Sequence, residues 1–204
     1  MKTIACLHTA GGNLRLFDEA CPAGVALRHH LRDDLLAEAE AAGGMTPAIA
    51  ARTAAALEAL AAPGIDAVLL TCSTLGPAAG LARASIPVLR VDAALAEAAC
   101  RGGGHVVALC AVETTVAPTG ALFADAAARH GARLEVRLVP EAWAAFRAGD
   151  ATRYATLVAA AADAAFVAGA DRVALAQASM APAAALCRAG RPLTSPEAGL
   201  SAAA

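Results

Sequence analysis

Cys72 is the residue best placed to do chemistry. It stands among hydroxyl neighbours, Thr71, Ser73 and Thr74, directly after the apolar run Ala67–Leu70 and shortly before Pro77. A thiol at a strand end near a helix start meets backbone N–H groups and the positive end of the helix dipole, which favour a thiolate and also a substrate carboxylate. Such a thiolate can remove a proton from carbon or attack it. Ser73 or Thr74 suits the cap of that helix and Pro77 its first turn. The segment Gly64–Pro77 is written again as Gly169–Pro182, at an offset of 105 residues that holds without a gap through Leu81/Leu186, Arg83/Arg188 and Pro87/Pro192. Under that register Cys72 falls opposite Gln177. The chain thus reads as two copies of one half, with a nucleophile or base in the first and a neutral amide in the second. Gln177 has two readings of equal weight, contact with substrate or a structural amide that satisfies loop backbone.

Further candidates stand at other strand ends. Ala178 and Ser179 repeat the turn geometry of the first copy before Pro182. Thr114 and Thr115, after Val112 and Glu113, can donate hydrogen bonds to a carboxylate or cap a helix beginning near Pro118. Glu113 is a weaker acid–base candidate. His8 and Thr9 precede Ala10-Gly11-Gly12-Asn13, a turn in which backbone can approach a ligand. His8 is open to three roles: acid, base, or hydrogen-bonding residue. Cys6, Cys100, Cys110 and Cys187 read as small buried hydrophobes. His29 and His30 are adjacent on an expected helix and read as solvated, so no metal site is expected.

These residues need a frame to hold them. Short Val/Ile/Leu runs alternate with longer alanine-rich stretches, the pattern of strands alternating with helices. Strands are expected near 3–7, 67–70, 87–91, 105–110, 133–138 and 172–175, and helices near 27–42, 47–62, 92–100, 117–130 and 151–168. The fold class is α/β, with two pseudo-symmetric lobes, each a mostly parallel sheet flanked by helices, and an active site expected in the cleft between them at the carboxyl ends of the strands. The first lobe is expected over 1–100 and the second over 101–190, with Arg101-Gly102-Gly103-Gly104 as connector and residues 191–204 returning to the first lobe.

Composition excludes several function classes. The hydrophobic fraction of 58% comes largely from alanine, and no window of about twenty residues is bulky, apolar and unbroken, so no membrane span is expected. A net charge of −2 and an aromatic content of 3% leave neither a basic stripe nor stacking platforms for nucleic acid. The six cysteines are scattered without a CxxC pair, and Met1–Cys6 leads into a strand rather than a signal peptide, so free thiols and a cytoplasmic location are expected. The sequence has no GxxxxGK[ST], no HExxH and no GxSxG, and Gly102-Gly103-Gly104 precedes a strand instead of following one. No cofactor is expected.

Taken in order, these segments resemble the aspartate/glutamate/hydantoin racemase family over nearly the whole chain. Leu70–Thr74 resembles its first-half cysteine loop, Leu175–Met180 the second-half counterpart, and Val107–Leu109 through Thr114-Thr115 the strand and threonine turn that opens the second half. Val91–Ala99 and Leu193–Pro196 also fit in place. The resemblance implies a cofactor-independent enzyme acting on a small carboxylic acid, an amino acid or hydantoin-like molecule, and it allows a homodimer. The family's racemases place one cysteine on each side of the substrate carbon. Gln177 breaks that pattern, because an amide has no useful acid or base form near neutral pH. Three hypotheses follow: an isomerase in which Cys72 acts with another partner, a decarboxylase or other carbon–carbon lyase that protonates an enediolate from one face, and a carboxylate-binding protein without turnover. The first is preferred on family grounds, with Ser73, Thr74, Thr114, Thr115 and the Ala178–Ser179 turn holding the negative charge.

Overall fold

In β1, Lys2–His8, every residue from Ile4 onward is buried, as are all four residues of β3, Ala67–Leu70. Strands covered on both faces carry continuous apolar runs instead of alternation, which is the mark of an interior parallel strand. The computed structural model describes residues 1–204 and places these strands at the centre of a four-stranded parallel sheet. Its order is β2-β1-β3-β4, with β2 spanning Val25–Leu31 and β4 spanning Val88–Arg90.

A second parallel sheet repeats this order as β6-β5-β7-β8, from β5 (Gly104–Cys110), β6 (Ala132–Leu138), β7 (Arg172–Leu175) and β8 (Leu193–Thr194). The eight helices are α1 (Asn13–Glu19), α2 (Asp33–Ala41), α3 (Pro47–Leu60), α4 (Val91–Cys100), α5 (Glu113–His130), α6 (Ala142–Arg147), α7 (Ala151–Val167) and α8 (Ser195–Ala203). Two 3₁₀ helices, Gly76–Leu81 and Ala178–Leu186, follow β3 and β7. The chain divides into two units, residues 1–94 with 196–204, and residues 95–195.

The repeat extends to individual hydrogen bonds. The Thr3 N–H donates to Asp66 at 2.7 Å, and 105 positions after Asp66 the Asp171 carboxylate accepts from the His105 N–H at the same distance. Likewise Glu58 accepts from the Arg83 N–H at 2.7 Å and Asp163 from the Arg188 N–H at 2.8 Å. Each acidic side chain satisfies a backbone donor at the edge of an element that no ladder bond reaches.

Each unit has its own core. In the first, Leu7, Leu35, Leu57, Val68, Leu70 and Leu75 pack together, and in the second, Val107, Leu109, Tyr154, Val158, Val173, Leu175 and Met180. Each large apolar side chain so buried stabilises its unit by about 1.5–3 kcal/mol. Local signals set the helix ends: Thr46 accepts from the Ile49 N–H before Pro47 opens α3, Asp150 accepts from the Arg153 N–H at the start of α7, and Gly131, at φ 64°, closes α5 in the left-handed region. In the first unit α8 lies so close to β3 and α4 that a methyl group on Gly199 would collide with Val91.

Three local expectations are corrected. Residues 27–31, expected to begin a helix over 27–42, belong to β2, because seven consecutive register pairs between β2 and β1 outweigh their local preference. The segment after Cys72 is a 3₁₀ helix starting at Gly76 with Leu75 in the capping position, so neither Ser73 nor Thr74 caps it. Helix α5 begins at Glu113 and not near Pro118, and its cap is Val112. Pro118, the sixth residue of α5, lies past the first turn, so the helix forgoes one backbone bond there.

Candidate functional site

β1 and β3 are neighbours, with Leu7 in register with Leu70, so His8 and Thr9 emerge beside Thr71 and Cys72. The Thr71 N–H donates to the Leu7 carbonyl at 3.0 Å, fixing the loop that follows β3. Cys72 is 8% exposed, and Ser73 and Thr74, which follow it, are exposed. The Gly76 N–H donates to the Ser73 carbonyl at 3.1 Å and tightens the turn.

His8 is 0% exposed, and both ring nitrogens are engaged. Nδ1 lies 2.9 Å from the Thr71 hydroxyl and Nε2 lies 2.8 Å from Nδ1 of His29. His29 Nε2 in turn lies 3.0 Å from the Asp18 carboxylate. Burial, with His29 adding to it, pulls His8 down to about 4, so the ring is neutral at neutral pH. His8 acts on the loop through Thr71, the residue immediately before Cys72. Thr9 is buried beside it.

Arg90 was missed from sequence. It ends β4 in register with Leu70, and its guanidinium makes a forked pair with Asp92, Nε to Oδ1 at 2.7 Å and Nη2 to Oδ2 at 2.6 Å. The guanidinium lies against the backbone of Gly76, so that any larger side chain there would displace it. This sets a fixed cation beside the Cys72 loop. The repeat carried a signal for it: extended beyond Pro87/Pro192, it sets Arg90 opposite Ser195, a second position where the copies differ in chemistry.

The second unit gathers the other candidates at the ends of β5 and β7, which are also neighbours. Gln177 Oε1 accepts from the Ala111 N–H at 2.7 Å, so the amide ties the loop after β5 to the loop after β7. Ser179 bonds Tyr154 at 2.9 Å, and burial raises the Tyr154 phenol above its ordinary value against the opposing effect of that bond. The Thr115 hydroxyl donates to the Val112 carbonyl at 2.6 Å, within its own first helical turn. Thr114 and Glu113 are exposed and Ala178 is buried. The 3₁₀ helix from Ala178 has no side-chain cap. None of the six cysteines is paired.

A cavity of about 280 Å³ in the second unit is lined by Glu141, Ala144, Ala145, Ala148, Asp150 and Arg153. It contains none of the candidate residues and no nucleophile. The chemistry therefore points to the strand ends and not to this hollow. His29, expected on a solvated helix, is instead held on β2 against Cys6 and His8. Only the pairing of β1 with β2 could reveal that grouping.

No protein-family model and no curated protein sequence matches the chain. Solved structures do share its fold. An aspartate racemase from Picrophilus torridus aligns with a TM-score of 0.73 at 13% identity, covering 100% of this chain and 93% of that one. An aspartate racemase homologue from Pyrococcus horikoshii OT3 aligns at 0.65 and 12% identity over 100% of this chain and 97% of that one. A glutamate racemase from Bacillus anthracis aligns at 0.59 and 14% identity, covering 98% and 79% respectively. The chain has the α/β fold of the aspartate and glutamate racemases.

Proposed function

We propose that the chain is a cofactor-independent isomerase of the racemase type, acting on a small carboxylic acid such as an amino acid or a hydantoin-like molecule. Cys72 transfers the proton at the carbon next to the carboxylate. The observation that carries the reading is the placement of Cys72 just past the end of β3, nearly buried and followed by two exposed hydroxyl residues. Likeness in fold to racemases supports it.

The physical difficulty is the weak acidity of such a carbon. As Cys72 takes the proton, the C–H electron pair moves into an enediolate, whose negative charge needs donors already in place, and His8 or a bound water returns a proton to the opposite face. Ser73 and Thr74 supply hydroxyls, and each well-aligned donor lowers the barrier by roughly 3 kcal/mol. Arg90 adds a positive field beside the same loop while its own fork stays on Asp92.

Gln177 favours a second reading. Its amide oxygen is occupied by the Ala111 N–H, and an amide cannot return a proton. A lyase needs only one proton donor: carbon dioxide leaves with its bond electrons remaining as the enediolate, and the Cys72 thiol protonates one face. Proton NMR of amino acids, hydantoins, malonates and maleate in D₂O separates the readings. Deuterium beside a retained carboxylate, with inversion at that carbon, identifies the isomerase, and loss of the carboxylate identifies the lyase. Either signal must vanish in Cys72→Ser; a Cys72→Ser variant with full activity refutes both. Binding without turnover anywhere in the panel favours a carboxylate-binding protein.

A further inference from the structure

Cys6 and His8 lie two residues apart on the same face of β1, and His29 on β2 is in register with Cys6. One ligand atom from each, sulfur and two ring nitrogens, lies within 4.8 Å of the others. We propose that these three side chains form a binding site for a divalent cation of the zinc class, distinct from the Cys72 chemistry.

The geometry carries the argument. His8 Nε2 and His29 Nδ1 face each other at 2.8 Å, and the Cys6 sulfur completes the group. The outer nitrogen of each ring already has an oxygen partner: His29 Nε2 lies 3.0 Å from the Asp18 carboxylate, and His8 Nδ1 lies 2.9 Å from the Thr71 hydroxyl.

A cation between His8 Nε2 and His29 Nδ1 keeps both of these outer contacts. His29 Nε2–H donates to Asp18, His8 Nδ1–H donates to Thr71, and the Thr71 hydroxyl donates to Leu7. Each ligating imidazole then has its second N–H held by an oxygen, the usual support of a metal-bound histidine. The thiol completes a nitrogen–sulfur set that suits zinc and leaves a fourth position open. As sulfur binds, its proton passes to solvent. The ring nitrogens, 2.8 Å apart, need to open only to about 3.3 Å, the edge of a tetrahedron with bonds of about 2.05 Å. Phe17 closes one side, edge-on to His8 at 5.2 Å. Entry is from the Asp18 side, where the His29 side chain is 17% exposed.

The test uses the full chain, stripped with chelator and titrated with Co²⁺ and then Zn²⁺. One equivalent of Co²⁺ is expected to give thiolate-to-cobalt charge-transfer absorption with tetrahedral visible bands, which Zn²⁺ abolishes. Cys6→Ser must lose the charge-transfer band and Cys72→Ser must keep it. Asp18→Asn, which leaves all three ligands, is expected to weaken Zn²⁺ binding about 10–100-fold. Absence of the band, its survival in Cys6→Ser or its loss in Cys72→Ser overturns the proposal. Should Cys6→Ser fail to fold, His29→Gln decides: Zn²⁺ must raise the unfolding temperature of the wild type and leave that of His29→Gln unchanged, and any other result overturns the site. A proton shared between the rings is the rival occupant, and it predicts no metal response at all.

Discussion

The Arg90 guanidinium rests against Gly76, four residues past Cys72, and leaves no room for even a methyl group there. The fork to Asp92 holds the guanidinium in that position. Gly76→Ala is therefore expected to push Arg90 off Asp92 and to cost about 1–3 kcal/mol, the usual cost of overpacking. Urea unfolding measures it. In an Arg90→Ala background the same substitution should cost almost nothing, because neighbouring effects of this kind are coupled.

The paired aspartates provide a test of the internal repeat. Asp66 and Asp171 each accept a backbone N–H at the start of the central strand of their own sheet. Replacing either by alanine is expected to cost about 1–3 kcal/mol, as for the loss of a hydrogen bond to a charged group. Being in different units with no shared partner, the two costs should add to within about 0.5 kcal/mol in a two-state analysis.

Gln177 gives up its stabilising role only when its oxygen goes. Gln177→Ala leaves the Ala111 N–H without its acceptor, at an expected cost of about 1–3 kcal/mol. Gln177→Glu keeps an acceptor in place and should retain most of the stability. Hydrogen exchange at Ala111 separates them directly: protection is lost in the alanine variant and kept in the glutamate variant.

Tyr154 predicts a pH dependence at the alkaline end. Burial raises its phenol above the ordinary value, so the folded state favours the neutral form. The resulting stability is fully present below the unfolded phenol value, about 10, and is lost as pH rises through the higher folded one. The stability difference between wild type and Tyr154→Phe should be flat from neutral pH to about 9 and should move against the wild type above about 10. A flat difference throughout removes the assignment.

Much of this arrangement was legible because a repeat is a comparison within a single chain. Cys72 against Gln177 marked both strand ends, and Asp66 against Asp171 and Arg83 against Arg188 marked turns that fold alike. The β2 strand was not legible. Its Val-Ala-Leu-Arg-His-His-Leu sequence has no clean alternation, and its strand character comes from pairing with β1 more than twenty positions away. The grouping of Cys6, His8 and His29 follows from that pairing and was hidden for the same reason. Gly76 beside Arg90 was hidden because it depends on a side chain reaching from β4 to the 3₁₀ helix that follows β3.

The close fit of Gly199 against Val91 bears on the order in which the chain takes shape. The second unit is continuous in sequence and can complete its core as soon as Ser195 has been made. The first unit waits for residues 196–204, synthesised after the entire second unit, before Leu69 and Val91 are covered. The half that leaves the ribosome first is the last to be finished, and until then its sheet keeps an unsealed apolar flank.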